Sequence, residues 1–414
     1  MHILFVHQNS LGQFTHLAAY LAQQPEHVVV SIAQKENMER KPSPAGVQRV
    51  GYQINRARSA QTHKYLWGTE EHILRGQAVV RACLELRQRG FEPQLIIAHA
   101  GWGEALYLRD IYPKAKIVGY FEFFYHAVGK DVGFDPEFPT DFDRRFLLRT
   151  RNATQLMTWT GVDYGWSPTQ WQRSLFPAEF QQRIKVIHEG INTDIVKPNP
   201  EAVFTTPDGI TLTQQDEVIT FVNRNLEPYR GFHVFMRALP EIQRQRPKAI
   251  TVIIGSESVS YGAPPKGAAN WKEALLQEVG AQLDMSRIHF VGSLPYQHYL
   301  QALQISKIHL YLTYPFVLSW SMLESMAAGC ILLASSTPPV LEVIEHGKNG
   351  LLCGFFDKDS LITQVVDVLA QPQRYDYLRA AARQTIIQHY DLKTVCMPQQ
   401  LAFVQQLLTQ ETNV

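Results

Sequence analysis

The sequence is poor in the features that mark several common protein classes. Its 414 residues include four cysteines, Cys83, Cys330, Cys353 and Cys396, scattered and without a C-x-x-C pair. A disulfide framework or a zinc site is therefore not expected, and such usage fits a reducing compartment. No stretch approaches the ~18 apolar residues of a membrane span. The start, Met1-His2-Ile3-Leu4-Phe5-Val6-His7, turns polar too early for a secretory leader. A cytoplasmic protein is expected, with room for contact at a membrane surface. Excess charge is also missing, since 39 basic and 38 acidic side chains leave +1. No global field recruits nucleic acid, so an anionic ligand must be met by a local cluster. Finally, no G-x-G-x-x-G follows the first strand of either half, which disfavours a dinucleotide-dependent oxidoreductase.

What is present is ordinary globular material, 45% hydrophobic and 19% charged, in a chain long enough for two or three domains. Short apolar runs at 3–6, 28–32, 95–98 and 117–121 predict strands, and helical periodicity covers 14–21 and 71–87. Shorter regular segments are expected at 164–167 and 185–188. A second series of strands is predicted at 218–222, 250–254, 288–291, 308–312 and 331–334. Strands alternating with helices imply parallel sheets, whose C-terminal strand ends form the ligand edge. Residues 122–150 break the alternation with aromatics, glycines and prolines, too long for a plain connection and better read as a functional loop. The Pro-, Asn- and Thr-rich segment 192–207 reads as a linker and hinge. The expected organisation is an α/β protein of two Rossmann-like domains, 1–195 and 205–391, with a final helix at about 392–414 returning to the first.

Two stretches carry most of the chemistry. Asn223-Arg224-Asn225-Leu226-Glu227-Pro228-Tyr229-Arg230-Gly231 follows the first strand of the second half. Arg224 and Arg230 flank a Pro turn, and Gly231 opens a helix; guanidinium forks and helix-terminal amides both suit phosphate oxygens. Tyr314-Pro315-Phe316-Val317-Leu318-Ser319-Trp320-Ser321-Met322-Leu323-Glu324 follows another strand and becomes a helix capped by Ser319 or Ser321. Glu324 in its first turns is placed to accept hydrogen bonds from two adjacent sugar hydroxyls. Each feature also has a plainer reading: solvated loop arginines, and a surface Glu favoured by the helix dipole.

Together the two stretches resemble the paired signatures of glycosyltransferase family 4, retaining enzymes of the GT-B fold. In that family an Arg and a Lys spaced like Arg224 and Arg230 grip the donor diphosphate. A later E-G-F-G-L-P-x-L-E-A-M-A-x-G segment binds sugar and ribose. Its second Glu falls on Glu324, while Leu323, Met326, Ala327 and Gly329 fit its tail, and Gly347-x-x-Gly350 fits a downstream element. The departures are specific. The first Glu falls on Phe316, G-F-G-L-P becomes Val317-Leu318-Ser319-Trp320-Ser321, and the Lys is Arg230. A branch of the family with L-S-W-S here, and an F-E-F-F/Y-Y stretch earlier, matches better.

The resemblance implies two sheets facing across a cleft that holds a nucleotide diphosphate sugar, UDP- or GDP-linked, as co-substrate, with no further cofactor and no metal. Donor contacts would come from Gly12, Arg224, Arg230, Glu324 and the backbone of Leu318, Ser319 and Trp320. His99 resembles the His set against the donor sugar, and Glu122 stands where many relatives carry His. The acceptor, a glycan, a lipid-linked sugar or a small molecule, would meet His7, Phe123, Tyr125 and His126. His99, Glu122, Arg224 and Arg230 are the expected catalytic groups. Transfer with retention for polysaccharide or glycoconjugate synthesis is expected; a sugar-nucleotide epimerase and a non-catalytic binding protein are the alternatives.

Overall fold

The computed structural model describes residues 1–40 and 42–409, which form two compact units. Met1–Gly190 and the chain from Lys393 onward make the first; Ile191–Leu392 makes the second.

The first unit is built on seven parallel strands: β1 (His2–Val6), β2 (Val28–Gln34), β3 (Val47–Tyr52), β4 (Leu95–His99), β5 (Lys116–Tyr120), β6 (Tyr164–Ser167) and β7 (Ile184–Val186). Their order is β3-β2-β1-β4-β5-β6-β7, with Ile3 paired to both Val29 and Leu95. Strand order therefore reverses between β1 and β4, the switch point at which α/β sheets bind ligands. Ile3, Leu4, Phe5 and Val6 are all fully buried, as expected of a strand covered on both faces. Its longer helices before residue 190 are α1 (Thr15–Ala22), α2 (Trp67–Gln88), α3 (Phe142–Arg151) and α4 (Ala153–Gly161). β3 was not foreseen, because Val47-Gln48-Arg49-Val50-Gly51-Tyr52 has polar side chains on an edge position. The irregular stretch read at 122–150 ends early: the Asp141 side chain accepts from the Arg144 amide and starts α3.

The second unit repeats the plan with six parallel strands: β10 (Val218–Asn225), β11 (Ile250–Ser256), β12 (Ile288–Gly292), β13 (Ile308–Tyr311), β14 (Leu332–Ser335) and β15 (Leu351–Cys353). Their order, β12-β11-β10-β13-β14-β15, reverses between β10 and β13. Ahead of them lies a small antiparallel hairpin, β8 (Val203–Thr205) and β9 (Thr211–Thr213). Helices α5 (Phe232–Gln245), α6 (Trp271–Val279), α7 (Tyr296–Gln304), α8 (Trp320–Ala327), α9 (Lys358–Ala370) and α10 (Asp376–His389) surround the sheet.

The expected linker at 192–207 is a correction. It belongs to the second unit: Val196 and Phe204 are buried in that unit's core. Arg383 donates to the carbonyls of Thr193 and Val196 at 3.2 and 3.0 Å, so polar composition there reflects anchoring rather than freedom. A last helix, α11 (Met397–Thr409), belongs to the first unit, where Gln400 donates to the carbonyls of His188 and Glu189. Residues 410–414 of the expected final helix lie outside the described residues.

Candidate active site

In the second unit Arg224, Arg230, the 318–320 segment and Glu324 lie at or after the ends of β10 and β13, the strands on either side of the switch. A register shift between Val222 and Asn225 bulges β10 and leaves Arg224 exposed; a bulge re-aims the side chain at a strand end. Arg230 behaves differently. It is 6% exposed, and its Nη1 donates to Tyr311 Oη (3.1 Å), Thr313 Oγ1 (2.8 Å) and the Val317 carbonyl (3.0 Å). Its guanidinium carbon lies 5.6 Å from the rings of both Tyr261 and Phe316. So Phe316, where the family pattern has Glu, packs beside a cation instead of offering it a carboxylate. Gly231 caps α5 at φ 71°, and a Cβ there would come within 2.3 Å of Leu312; only glycine fits this close approach.

The backbone donors expected around Leu318, Ser319 and Trp320 are partly committed, which corrects that reading. The Ser319 amide donates to Tyr311 Oη at 2.9 Å, and the Ser319 hydroxyl accepts from the Ser321 amide as N-cap of α8. Leu318 packs against the core, while Trp320 is 44% exposed. Glu324 accepts from two phenols, Tyr296 at Oε1 (2.7 Å) and Tyr299 at Oε2 (2.8 Å). Burial raises its carboxyl above the usual carboxylate range, against the opposing pull of those phenols. Each oxygen retains a second lone pair for a hydroxyl.

Sequence reasoning missed Glu227. It is fully buried and accepts from the amides of Ser260 (3.1 Å), Tyr261 (3.1 Å) and Gly262 (2.9 Å). One carboxylate thus fixes the loop that brings Tyr261 against Phe316, at 4.7 Å between ring centres. Its only signal was an acidic residue between the two arginines.

The first unit brings His7, Gly12, His99 and Glu122 together at the ends of β1, β4 and β5. His7 accepts from the Asn9 amide at Nδ1 (3.0 Å) and pairs through Nε2 with Gln13 Oε1 (2.7 Å), so its proton sits on Nε2. Gln13 in turn donates to Glu122 Oε1 at 3.1 Å. His99 is 2% exposed, stacks on Trp102 at 3.7 Å, and accepts from the Gly101 amide at Nδ1. Its Nε2 lies 3.5 Å from Glu122 Oε2 without a hydrogen-bonded partner. Trp102 and Gln13 were not foreseen. The loop carrying Trp102 is held by Arg75, which donates to the Trp102 carbonyl, and by buried Glu104, which accepts from Tyr52 Oη at 2.6 Å.

The expected acceptor residues do not all join this cluster. His126 donates through Nε2 to the Leu175 carbonyl (2.7 Å). Phe123 is buried, and the Tyr125 backbone is clamped in both directions by the Asn152 amide group. The Phe123 ring meets that of Tyr125 at 5.3 Å and that of Trp171 at 6.1 Å. Two D-x-D triplets do occur, at 141–143 and 357–359. Asp141 and Asp357 each cap a helix, and Asp143 is paired with Lys64 and Tyr65.

Two switch-point sites in tandem Rossmann-like units narrow the family, and comparison with known proteins decides it. The family model described as "Glycosyl transferase family 4 group" matches residues 25–196, and "Glycosyl transferases group 1" matches 206–385. The chain belongs to the family 4 glycosyltransferases. Among curated relatives, the chain is 23% identical over 261 residues to the GDP-mannose-dependent alpha-(1-6)-phosphatidylinositol monomannoside mannosyltransferase of Mycolicibacterium smegmatis, covering 61% of its own length and 62% of that protein. It is also 23% identical over 202 residues to the D-inositol 3-phosphate glycosyltransferase of Thermobispora bispora, covering 49% and 46%. The matches thus span under two thirds of either relative. Among solved structures, sucrose-phosphate synthase from Thermosynechococcus elongatus superposes with TM-score 0.73 at 14% identity, over 99% of this chain and 100% of that one. Anabaena HepE in complex with UDP-glucose superposes at 0.68 and 15% identity, over 98% and 99%. The chain therefore has the GT-B fold. Among the described residues, no helix is long and apolar enough to cross a membrane.

Proposed function

We propose that the chain transfers a sugar from a nucleotide diphosphate sugar to a carbohydrate or lipid-linked acceptor, with retention at the anomeric carbon and without a metal. The observation that carries this reading is the exposed guanidinium of Arg224 at the β10 bulge, in the same unit as a capped helix start and Glu324. Arg224 meets the diphosphate directly. Arg230 supports it as a buried positive charge that also shapes the 313–319 loop. Glu324 takes the ribose hydroxyls. As the bond from the anomeric carbon to the diphosphate oxygen breaks, its electron pair leaves with the phosphate, and fixed cations stabilise that charge without reorganising. The acceptor hydroxyl attacks from the same face and gives its proton to the departing phosphate. Glu122 is the alternative nucleophile to test. The name of the mycolicibacterial relative supports a GDP-linked hexose, and the HepE complex a UDP-linked one.

A second reading, a nucleotide-sugar-binding protein without turnover, is favoured by Phe316 alone. Thermal shift against UDP- and GDP-sugars, followed by product analysis with the stabilising donor, tests both. A ligand at 100 times its dissociation constant should stabilise by about 2.7 kcal/mol. Glu324→Gln should weaken the nucleoside diphosphate itself, whatever sugar it carries. Stabilisation by no nucleotide diphosphate would overturn the transferase reading. Binding without either transfer or hydrolysis would move the conclusion to the second one.

A further inference from the structure

We propose that the first unit docks on an anionic lipid surface through the outer face of α3 and the adjoining turn at 64–67. Phe142 is 67% exposed, Phe146 45%, Leu66 46% and Trp67 46%. Scattered singly, such residues need no explanation, but these are neighbours. The Phe142 and Phe146 rings meet at 5.2 Å, and Phe146 lies 6.3 Å from Tyr65, whose hydroxyl bonds Asp143 of α3. Lys64 pairs with the same Asp143. The patch is therefore one surface made from two segments.

Its charge is selective. Phe142, Arg145, Phe146 and Arg149 follow one another at helical i, i+3, i+4, i+7 spacing, and so share a face. Arg144, Arg145 and Arg149 are exposed and form no ion pair among the described residues, whereas the only acid within α3, Asp143, is already neutralised by Lys64. The Arg145 guanidinium lies 5.3 Å from the Phe142 ring, and that of Arg58 4.3 Å from Trp67. Arg58 is itself paired with Glu71, but aromatic rings interleaved with Arg145 and Arg149, unpaired among the described residues, match a headgroup layer, in which rings sit at the acyl boundary and guanidiniums meet phosphates. An acidic protein would use the arginines but would leave Phe142 without a reason to stand two-thirds in water.

This docking does not depend on the transferase reading, because it can be measured with neither donor nor acceptor present. The full chain would be sedimented with phosphatidylcholine vesicles, with and without phosphatidylglycerol. Binding should require the anionic lipid and weaken as salt screens the arginines. Phe142→Ser with Phe146→Ser should lower the partition coefficient by about tenfold or more, with an unchanged circular dichroism melt, since both rings lie outside the core. Arg145→Glu with Arg149→Glu should abolish binding. Equal partition onto neutral and anionic vesicles, or wild-type binding by the Phe pair variant, would overturn the inference. Retention on immobilised polyaspartate without binding to anionic vesicles would assign the patch to an acidic protein instead.

Discussion

The two units share a topology but differ in how completely the buried polar groups at their switch points are satisfied. In the second, Arg230, Ser319, Glu227 and Glu324 each reach defined partners within the unit. In the first, His99 Nε2 is buried and lacks a hydrogen-bonded partner, beside a carboxylate, Glu122, that is 30% exposed. The contrast suits two tasks. A site that stabilises a leaving diphosphate gains from dipoles fixed before the reaction. A group left unsatisfied in a folded protein costs free energy that an arriving ligand can recover.

The sharpest way to break the comparison is at Glu227. Glu227→Ala removes three charge-assisted bonds and should destabilise the chain by about 3–5 kcal/mol, read from denaturant midpoints. Glu227→Gln should fall between. If neither moves the midpoint, the second unit is not held by this carboxylate.

Acid should weaken the second unit by way of His309, a core residue whose imidazole is pushed down to about 3 by burial. The folded state excludes a proton that the unfolded state takes up below about 6.5. Stability is thus complete above that pH and falls as pH drops toward 3, by about 3 kcal/mol at pH 4. His309→Gln should flatten that slope in a pH series of unfolding free energies. An unchanged slope would show the proton is taken up elsewhere.

The two arginines separate organisation from contact. Arg230→Ala should cost about 2–3 kcal/mol of stability and also weaken donor binding, because the 313–319 loop loses its anchor. Arg224→Ala should leave the melting temperature alone and weaken nucleotide binding by about 1.5–3 kcal/mol. Calorimetry and melting on the same samples decide it, and equal melting losses in both variants would erase the distinction.

In the first unit the expected effect on the reaction is smallest and is read kinetically. His99→Ala should reduce single-turnover transfer more than about tenfold, or ~1.4 kcal/mol, with donor affinity nearly intact. A wild-type rate would remove His99 from the chemistry.

Much of this contrast was legible in local pattern. Apolar runs located most strands, and Arg224, Arg230 and Glu324 were singled out because strand ends and helix starts have local signatures. What escaped was set by long-range contact. Glu227 finds its amides about 34 residues downstream, and the phenols on Glu324 come from a different helix, α7. No spacing rule links these. The start of α3 was missed although Asp141 is a good cap, because the aromatics before it drew the reading toward an irregular loop. The linker was misread because polar composition does not reveal that Arg383, far along the chain, ties down its carbonyls.

Gly12 shows how narrowly one of these sites is specified. Its φ is 51°, and a Cβ there would fall 2.3–2.4 Å from the His7 ring. That ring cannot swing aside while Asn9 and Gln13 hold both nitrogens. Positions 7 and 12 therefore form a two-letter unit in sequence space. While the imidazole stands, no single substitution at 12 is tolerated without strain. Drift at this corner must begin with His7, after which the glycine is constrained only by its backbone angle.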